Sequence, residues 1–153
     1  INGRSISLWP HGVLFRESES TMRTEMVKSD VLECVIGLGP NLFYNSPMEA
    51  CLVITNNNKP KNRENKILII NALKEVEQQK NIAFLKNQHI EKIFNTYNEF
   101  IEIDSFSTIV SQSEVLANKG SLNIAQYVNN VQSEFSKTFK ECYDEWSISS
   151  KEL

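Results

Sequence analysis

The run Leu32-Glu33-Cys34-Val35-Ile36-Gly37 restricts the fold more than any other stretch of this chain. It is short, apolar and rich in branched residues, as expected of a buried strand covered on both faces in a parallel sheet. An earlier strand is expected at Arg4-Ser5-Ile6-Ser7-Leu8-Trp9, where apolar and polar residues alternate until Pro10 and Gly12 stop the run. Between the two, from about Ser18 to Asp30, Met22, Met26 and Val27 fall at helical spacing. A helix joining two such strands is half of a doubly wound sheet, so the spacing predicts an α/β fold.

Leu38 to Glu49 holds Gly39, Pro40, Asn41, Asn45 and Pro47, too many breakers for a helix or strand, and reads as a loop. Phe43 and Tyr44 sit in its middle, where large rings near the surface need a reason. Ala50 to Thr55 and Lys66 to Asn71 read as two further strands, and the Asn- and Lys-rich join from Asn56 to Asn65 suits an antiparallel hairpin. The order over the first 72 residues is then β, α, β, β, β.

The remainder reads as helical. Ile90, Ile93, Phe94, Tyr97 and Ile101 recur every three or four residues, predicting a helix over about Asn87 to Phe100 with Asn87 as N-cap. Ser111-Gln112-Ser113-Glu114 has the spacing of a capping box, and Gly120 stands where a C-terminal cap belongs. Val128, Val131, Phe135, Phe139, Cys142 and Trp146 make one stripe on a last helix from about Gln126 to Trp146. The chain is expected to be one domain, with residues 1–72 as the sheet and 73–153 as a helical extension packed on it.

Composition removes several functions. With 16 Lys and Arg against 19 Asp and Glu, the net charge of -3 argues against nucleic-acid binding through bulk charge alone. No apolar run approaches the roughly 20 residues that cross a bilayer. The 3 cysteines, Cys34, Cys51 and Cys142, form neither a disulfide framework nor a zinc pattern, which fits a reducing cytoplasm. No metal is expected. No glycine-rich turn follows the first strand, so a nucleotide cofactor would be held elsewhere. Of the 2 histidines, His89 falls within a helix and reads as structural. His11 follows Pro10 just past a strand, at the edge where open α/β sheets place their sites, and is a candidate pocket residue beside a plain loop-lining alternative.

Several segments resemble, in order, the later half of the catalytic domain in the modification (M) subunit of type I restriction enzymes, which are adenine-N6 DNA methyltransferases. They are Trp9-Pro10-His11-Gly12-Val13-Leu14-Phe15-Arg16, Leu32-Glu33-Cys34-Val35-Ile36-Gly37-Leu38, Asn41-Leu42-Phe43-Tyr44 and Ala50-Cys51-Leu52-Val53-Ile54. The likeness continues through Lys66-Ile67-Leu68-Ile69-Ile70-Asn71-Ala72, His89-Ile90-Glu91-Lys92-Ile93, Phe106-Ser107 and Leu122-Asn123-Ile124-Ala125-Gln126-Tyr127-Val128. It implies part of a Rossmann-like methyltransferase sheet, with late parallel strands, an antiparallel hairpin and a C-terminal helical extension. Two motifs of that family, the glycine-rich S-adenosylmethionine turn and the catalytic Asn-Pro-Pro-Phe or Tyr, are absent; in the family both precede the part matched here. The chain is therefore expected to be a piece of a longer polypeptide, inactive alone, with its cofactor S-adenosylmethionine bound mainly by residues not present. Asn45-Ser46-Pro47-Met48-Glu49 also departs from the family's Gly and Thr run after the aromatic pair.

The resemblance further implies that the adenine is swung out of double-stranded DNA, and that Phe43, or Tyr44 as its competitor, stacks on the free base. The alternative is that both rings only pack the loop down. Pro10, His11 and Asn41 are the expected pocket lining. Lys59, Lys61 and Arg63 make the Asn56–Asn65 join basic and are candidates for phosphate contact, against the plainer reading of a solvated loop. The specificity (S) subunit, and a restriction (R) subunit with it, are the implied protein partners. The rival from another class is a non-catalytic interaction module, a methyltransferase remnant that docks a protein through Phe43, Tyr44 and the C-terminal stripe.

Overall fold

The computed structural model describes residues 3–43, 46–80 and 82–128. A five-stranded sheet organises them: β1 (Arg4–Pro10), β2 (Leu32–Leu38), β3 (Ala50–Asn56), β4 (Lys66–Ala72) and β7 (Ser107–Ser111) stand in the order β1-β3-β2-β4-β7. β2 runs parallel to β4 and antiparallel to β3, while β3 is antiparallel to β1 and β7 antiparallel to β4. All seven residues of β2 are buried, as its composition requires. The α/β class and mixed sheet agree with expectation.

The strand order corrects one expectation. β3 and β4 are not hairpin partners, because β2 lies between them. The Asn56–Asn65 join instead passes over the start of β2, where the Asn56 N–H donates to the Val31 carbonyl at 2.8 Å. Likewise β1 and β2 point the same way and are linked by helix α1 (Ser20–Lys28), but β3 has been inserted between them.

Nor is the chain after residue 72 wholly helical. It supplies β7 to the main sheet and a small separate hairpin, β5 (Glu77–Gln79) with β6 (Ile82–Phe84). Helix α2 (Asn87–Glu99) follows, capped one residue earlier than expected: the Lys86 N–H donates to His89 Nδ1 at 3.2 Å. His89 is thus a structural residue. Helix α3 (Gln112–Ala117) begins where the sequence puts it, with the Ser111 half of the capping box formed: the Ser111 hydroxyl accepts from the Glu114 N–H at 3.2 Å. Gly120 then turns the chain at φ 68°. Helix α4 (Ile124–Tyr127) is the last described element, and the C-terminal stripe beyond Val128 lies outside the described residues.

Alternation along the strands gives the sheet two apolar faces. Val35, Val53, Ile67 and Ile69 face the layer of α1, α3 and α4, through Val27, Val115 and Ile124. Cys34, Ile36, Leu68 and Ile70 face α2 and the segment after it, through Ile93, Tyr97, Phe100 and Phe106. This second cover is incomplete. Over β1 and β3 it leaves an apolar groove of about 300 Å³ lined by Ile6, Leu52, Ile54, Ile90, Phe94 and Tyr97. Ile6 and Phe94 at its sides are 64% and 60% exposed, so half of the expected apolar face of α2 points into an open groove rather than onto the sheet.

Candidate functional site

β1, β2 and β4 all end at one edge of the sheet, the carboxyl edge where open α/β folds place their ligands. Pro10 closes β1 there, and His11 opens a short 3₁₀ turn over His11–Leu14. The loop after β2 returns to the same place, because the His11 N–H donates to the Glu49 carbonyl at 3.2 Å. His11 Nδ1 also lies 3.5 Å from Glu49 Oε2, an ion pair when the imidazole is protonated. Between these anchors the loop carries Phe43, whose carbonyl accepts from the Ser46 N–H at 3.0 Å. A cleft of about 280 Å³ results, lined by Trp9, Pro10, Phe43, Met48, Glu49 and Ala50.

Of the expected site residues, Pro10 and Phe43 meet in this cleft, with His11 beside it. Phe43 is 36% exposed and so presents part of its ring at the rim. Asn41 is at the same edge but outside the lining; it adopts a left-handed φ of 61° and turns its carbonyl to the β5–β6 hairpin, accepting from the Ala83 N–H at 3.0 Å. Tyr44 lies outside the described residues.

The basic candidates are elsewhere. They belong to the opposite end of the strands, roughly 20 Å away for seven residues at about 3.3 Å each. Lys59 is buried, its ammonium 2.6 Å from Asp30 Oδ1 and 3.0 Å from the Lys66 carbonyl. Arg63 lies 3.3 Å from the wholly buried Glu33 carboxylate, donates to the Asn98 carbonyl at 2.7 Å, and stacks 4.6 Å over Phe100. Both charges are consumed inside the fold, which removes them from the phosphate-binding set; Lys61 alone of the three stays exposed. In sequence they read as solvated because their acidic partners, Asp30 and Glu33, stand about thirty positions earlier, on the β2 side.

Two lysines that follow β4 beyond the carboxyl edge carry no signal in the sequence. Glu75 and Glu77 are neutralised by Lys92 and Lys86, whereas Lys74 and Lys80 are exposed and take no ion pair among the described residues. No hydrophobic periodicity marks this stretch, and the β5–β6 turn lacks a Gly signal.

Among the described residues there is no group of three side chains suited to a metal ion, and no helix long and apolar enough to cross a membrane.

An open mixed sheet with helices on both faces and a loop-built cleft at its carboxyl edge is the architecture of Rossmann-like enzyme domains. The comparisons with known proteins narrow this class. The family model described as N-6 DNA Methylase matches residues 1–135, and the chain belongs to that family. The type I restriction enzyme MjaVIII methylase subunit of Methanocaldococcus jannaschii is 36% identical over 138 residues, 88% of this chain and 24% of that protein. The type I restriction-modification system methyltransferase subunit from Streptococcus thermophilus superposes with a TM-score of 0.77 at 36% identity, over 83% of this chain and 27% of that one. A chain from a structure concerned with complex assembly and conformational transition of the type I R-M system, 17% identical, covers 97% of this chain and 32% of its own with a TM-score of 0.60, a likeness of fold alone. The chain spans about a quarter of the length of the curated relatives it matches.

The family implies S-adenosylmethionine as methyl donor, and the glycine pair at this edge does not fit it. Gly37 and Gly39, the only glycines close together at this edge, are already filled against: a Cβ on either would lie 2.5 Å from Ile124 Cδ1 or 2.6 Å from the Leu73 carbonyl oxygen. Neither leaves a backbone cradle for a ligand.

Proposed function

We propose that this chain is the later part of the catalytic domain of a type I modification subunit, which methylates adenine N6 in double-stranded DNA with S-adenosylmethionine. The observation that carries this reading is the cleft at the carboxyl edge with Phe43 at its rim. An adenine amine buried in a duplex cannot meet a methyl donor, so the base must leave the stack. A flat ring at a cleft mouth offsets part of that cost, since base-aromatic stacking contributes roughly 1–3 kcal/mol. Phe43 is that ring, with Pro10 as the facing wall and the His11–Glu49 contact holding the loop in place. Asn41 acts from behind, through the hairpin its carbonyl engages. The donor and the catalytic Asn-Pro-Pro motif belong to polypeptide outside this chain, which alone is inactive. The enzyme works in the cytoplasm, with a specificity subunit that reads the target and a restriction subunit that joins the assembly. Lys61 keeps its charge available to a phosphate, at the end of the sheet remote from Phe43.

The test is methyl transfer to a target duplex by the full-length subunit assembled with its specificity partner. Phe43→Ala should lower kcat/KM roughly tenfold to a hundredfold, the loss expected of one stacking contact, while Phe43→Trp retains most activity. Equal rates for Phe43→Ala and the parent would contradict the assignment.

The second reading, a non-catalytic docking module, is favoured by the open groove beside Ile6 and Phe94. Methyl transfer by the full-length protein separates the two, since a docking module transfers none.

A further inference from the structure

We propose that the β5–β6 hairpin is an arm that grips the DNA strand beside the extruded base, with Lys74 and Lys80 on its phosphates and Ile82 and Phe84 against sugar and base edges. This rests on the reading of Phe43 as the wall of the target-base cleft. Three observations carry it.

The first is placement. The Ala83 N–H bonds to the Asn41 carbonyl at 3.0 Å, two residues before Phe43, and the approach to the hairpin packs on Gly39 so closely that a Cβ there would meet Val76 Cγ1 at 2.9 Å. The arm and the aromatic loop are therefore one structural unit at the carboxyl edge.

The second is an exposed apolar pair. Two paired strands of three residues each have little stability of their own, and this hairpin is seated through Ala83, which is 3% exposed. Ile82 and Phe84 flank that anchor on the other side of the strand, 66% and 39% exposed. On a solvated hairpin those positions would be polar. Apolar side chains beside a displaced base are used by proteins that enter or deform DNA grooves.

The third is charge. The acidic groups of the arm and its approach, Glu75 and Glu77, already have cationic partners, which leaves Lys74 and Lys80 as uncompensated positive charge. A polyanionic strand is the complementary ligand, and releasing its counterions makes binding salt-dependent. The net negative chain thus carries two unpaired cations on the arm and its approach, while Glu49 is the charged residue that lines the cleft itself.

The experiment is the salt dependence of binding of the full methylase assembly to a duplex containing its target adenine, compared among the parent, the double variant Lys74→Gln/Lys80→Gln, and Lys61→Gln. Each lost phosphate contact reduces the slope of log K against log salt by about 0.9. The double variant should therefore be shallower by roughly 2, and Ile82→Ser in the parent background should weaken binding without changing the slope. A parental slope in the double variant, or a loss confined to Lys61→Gln, overturns the arm. Failure of the parent itself to bind the duplex overturns the underlying methyltransferase reading, and the arm with it.

Discussion

Arg63 and Glu33 form the buried ion pair on which the start of β2, the β3–β4 join and α2 converge. Their side chains approach to 3.3 Å, and the same carboxylate accepts from the Tyr97 hydroxyl at 2.8 Å and from Asn56 Nδ2 at 3.3 Å. Arg4, largely exposed, adds a weaker contact at 3.6 Å. Removing one partner of such a pair leaves a buried charge uncompensated, which costs roughly 3–5 kcal/mol. Arg63→Ala should lose an amount of that order in chemical denaturation. Arg63→Lys should recover only part of it, because an ammonium cannot reach Glu33 and the Asn98 carbonyl in the same fork while stacking on Phe100.

Lys59 gives a sharper contrast between a structural and a DNA-binding lysine. Its ammonium holds Asp30, whose other oxygen accepts from the Asn65 N–H at 3.0 Å, so one ion pair closes both ends of the β3–β4 join. Lys59→Gln should cost about 1.5–3 kcal/mol, as for a hydrogen bond to a charged group. It should leave the salt slope of DNA binding untouched. A lower thermal midpoint together with an unchanged slope is the expected pair of results.

Buried thiols and phenols set the alkaline limit, Tyr127 among them, its hydroxyl raised by burial. Burial pushes the Cys51 thiol up to about 12, raises the Cys34 thiol well above its ordinary range, and with the Glu33 hydrogen bond raises the Tyr97 hydroxyl to about 12. Each is an acid that the fold keeps protonated. Their contribution is fully present below the unfolded values, near 9 for the thiols and 10 for the phenol; for Cys51 and Tyr97 it is lost as pH rises toward 12, and for Cys34 as pH rises through its raised folded value. Denaturation midpoints should hold steady through neutral pH and fall above about 9. Peptide mapping after alkylation should find Cys34 and Cys51 unmodified in the native protein and modified once it is unfolded.

Gly39 tests the seat of the hairpin. A methyl group there would press on the Leu73 carbonyl oxygen, a backbone atom that cannot rotate away. Gly39→Ala should therefore cost roughly 1–3 kcal/mol, the range for overpacking. It should also accelerate amide exchange at Ala83, whose bond to Asn41 depends on the same approach.

The fold was legible where one strand or helix end decides it. The run from Leu32 shows its burial in its own composition, and Ser111 specifies the start of α3 as its N-cap. What escaped reading depends on distant partners. β7 is five residues with Ser at both ends, and on its edge position the Ile109 N–H donates to the Glu102 carboxylate at 2.9 Å rather than to a further strand. β3 enters between β1 and β2 through pairings across the sheet that no local pattern records. The aromatic loop was readable because breakers surround Phe43. The two lysines of the hairpin and its approach were not, since their freedom follows from Lys86 and Lys92 pairing with the neighbouring acids.

The central claim is that Phe43 touches the extruded adenine. Photocrosslinking with a halogenated base at the target position of the duplex, in the full methylase assembly, tests it most directly. The account predicts that the crosslinked peptide maps to the loop between Gly39 and Glu49 with the adduct on Phe43, and that Phe43→Ala abolishes it. A crosslink of equal yield in Phe43→Ala, or one mapping away from the carboxyl edge, would contradict it.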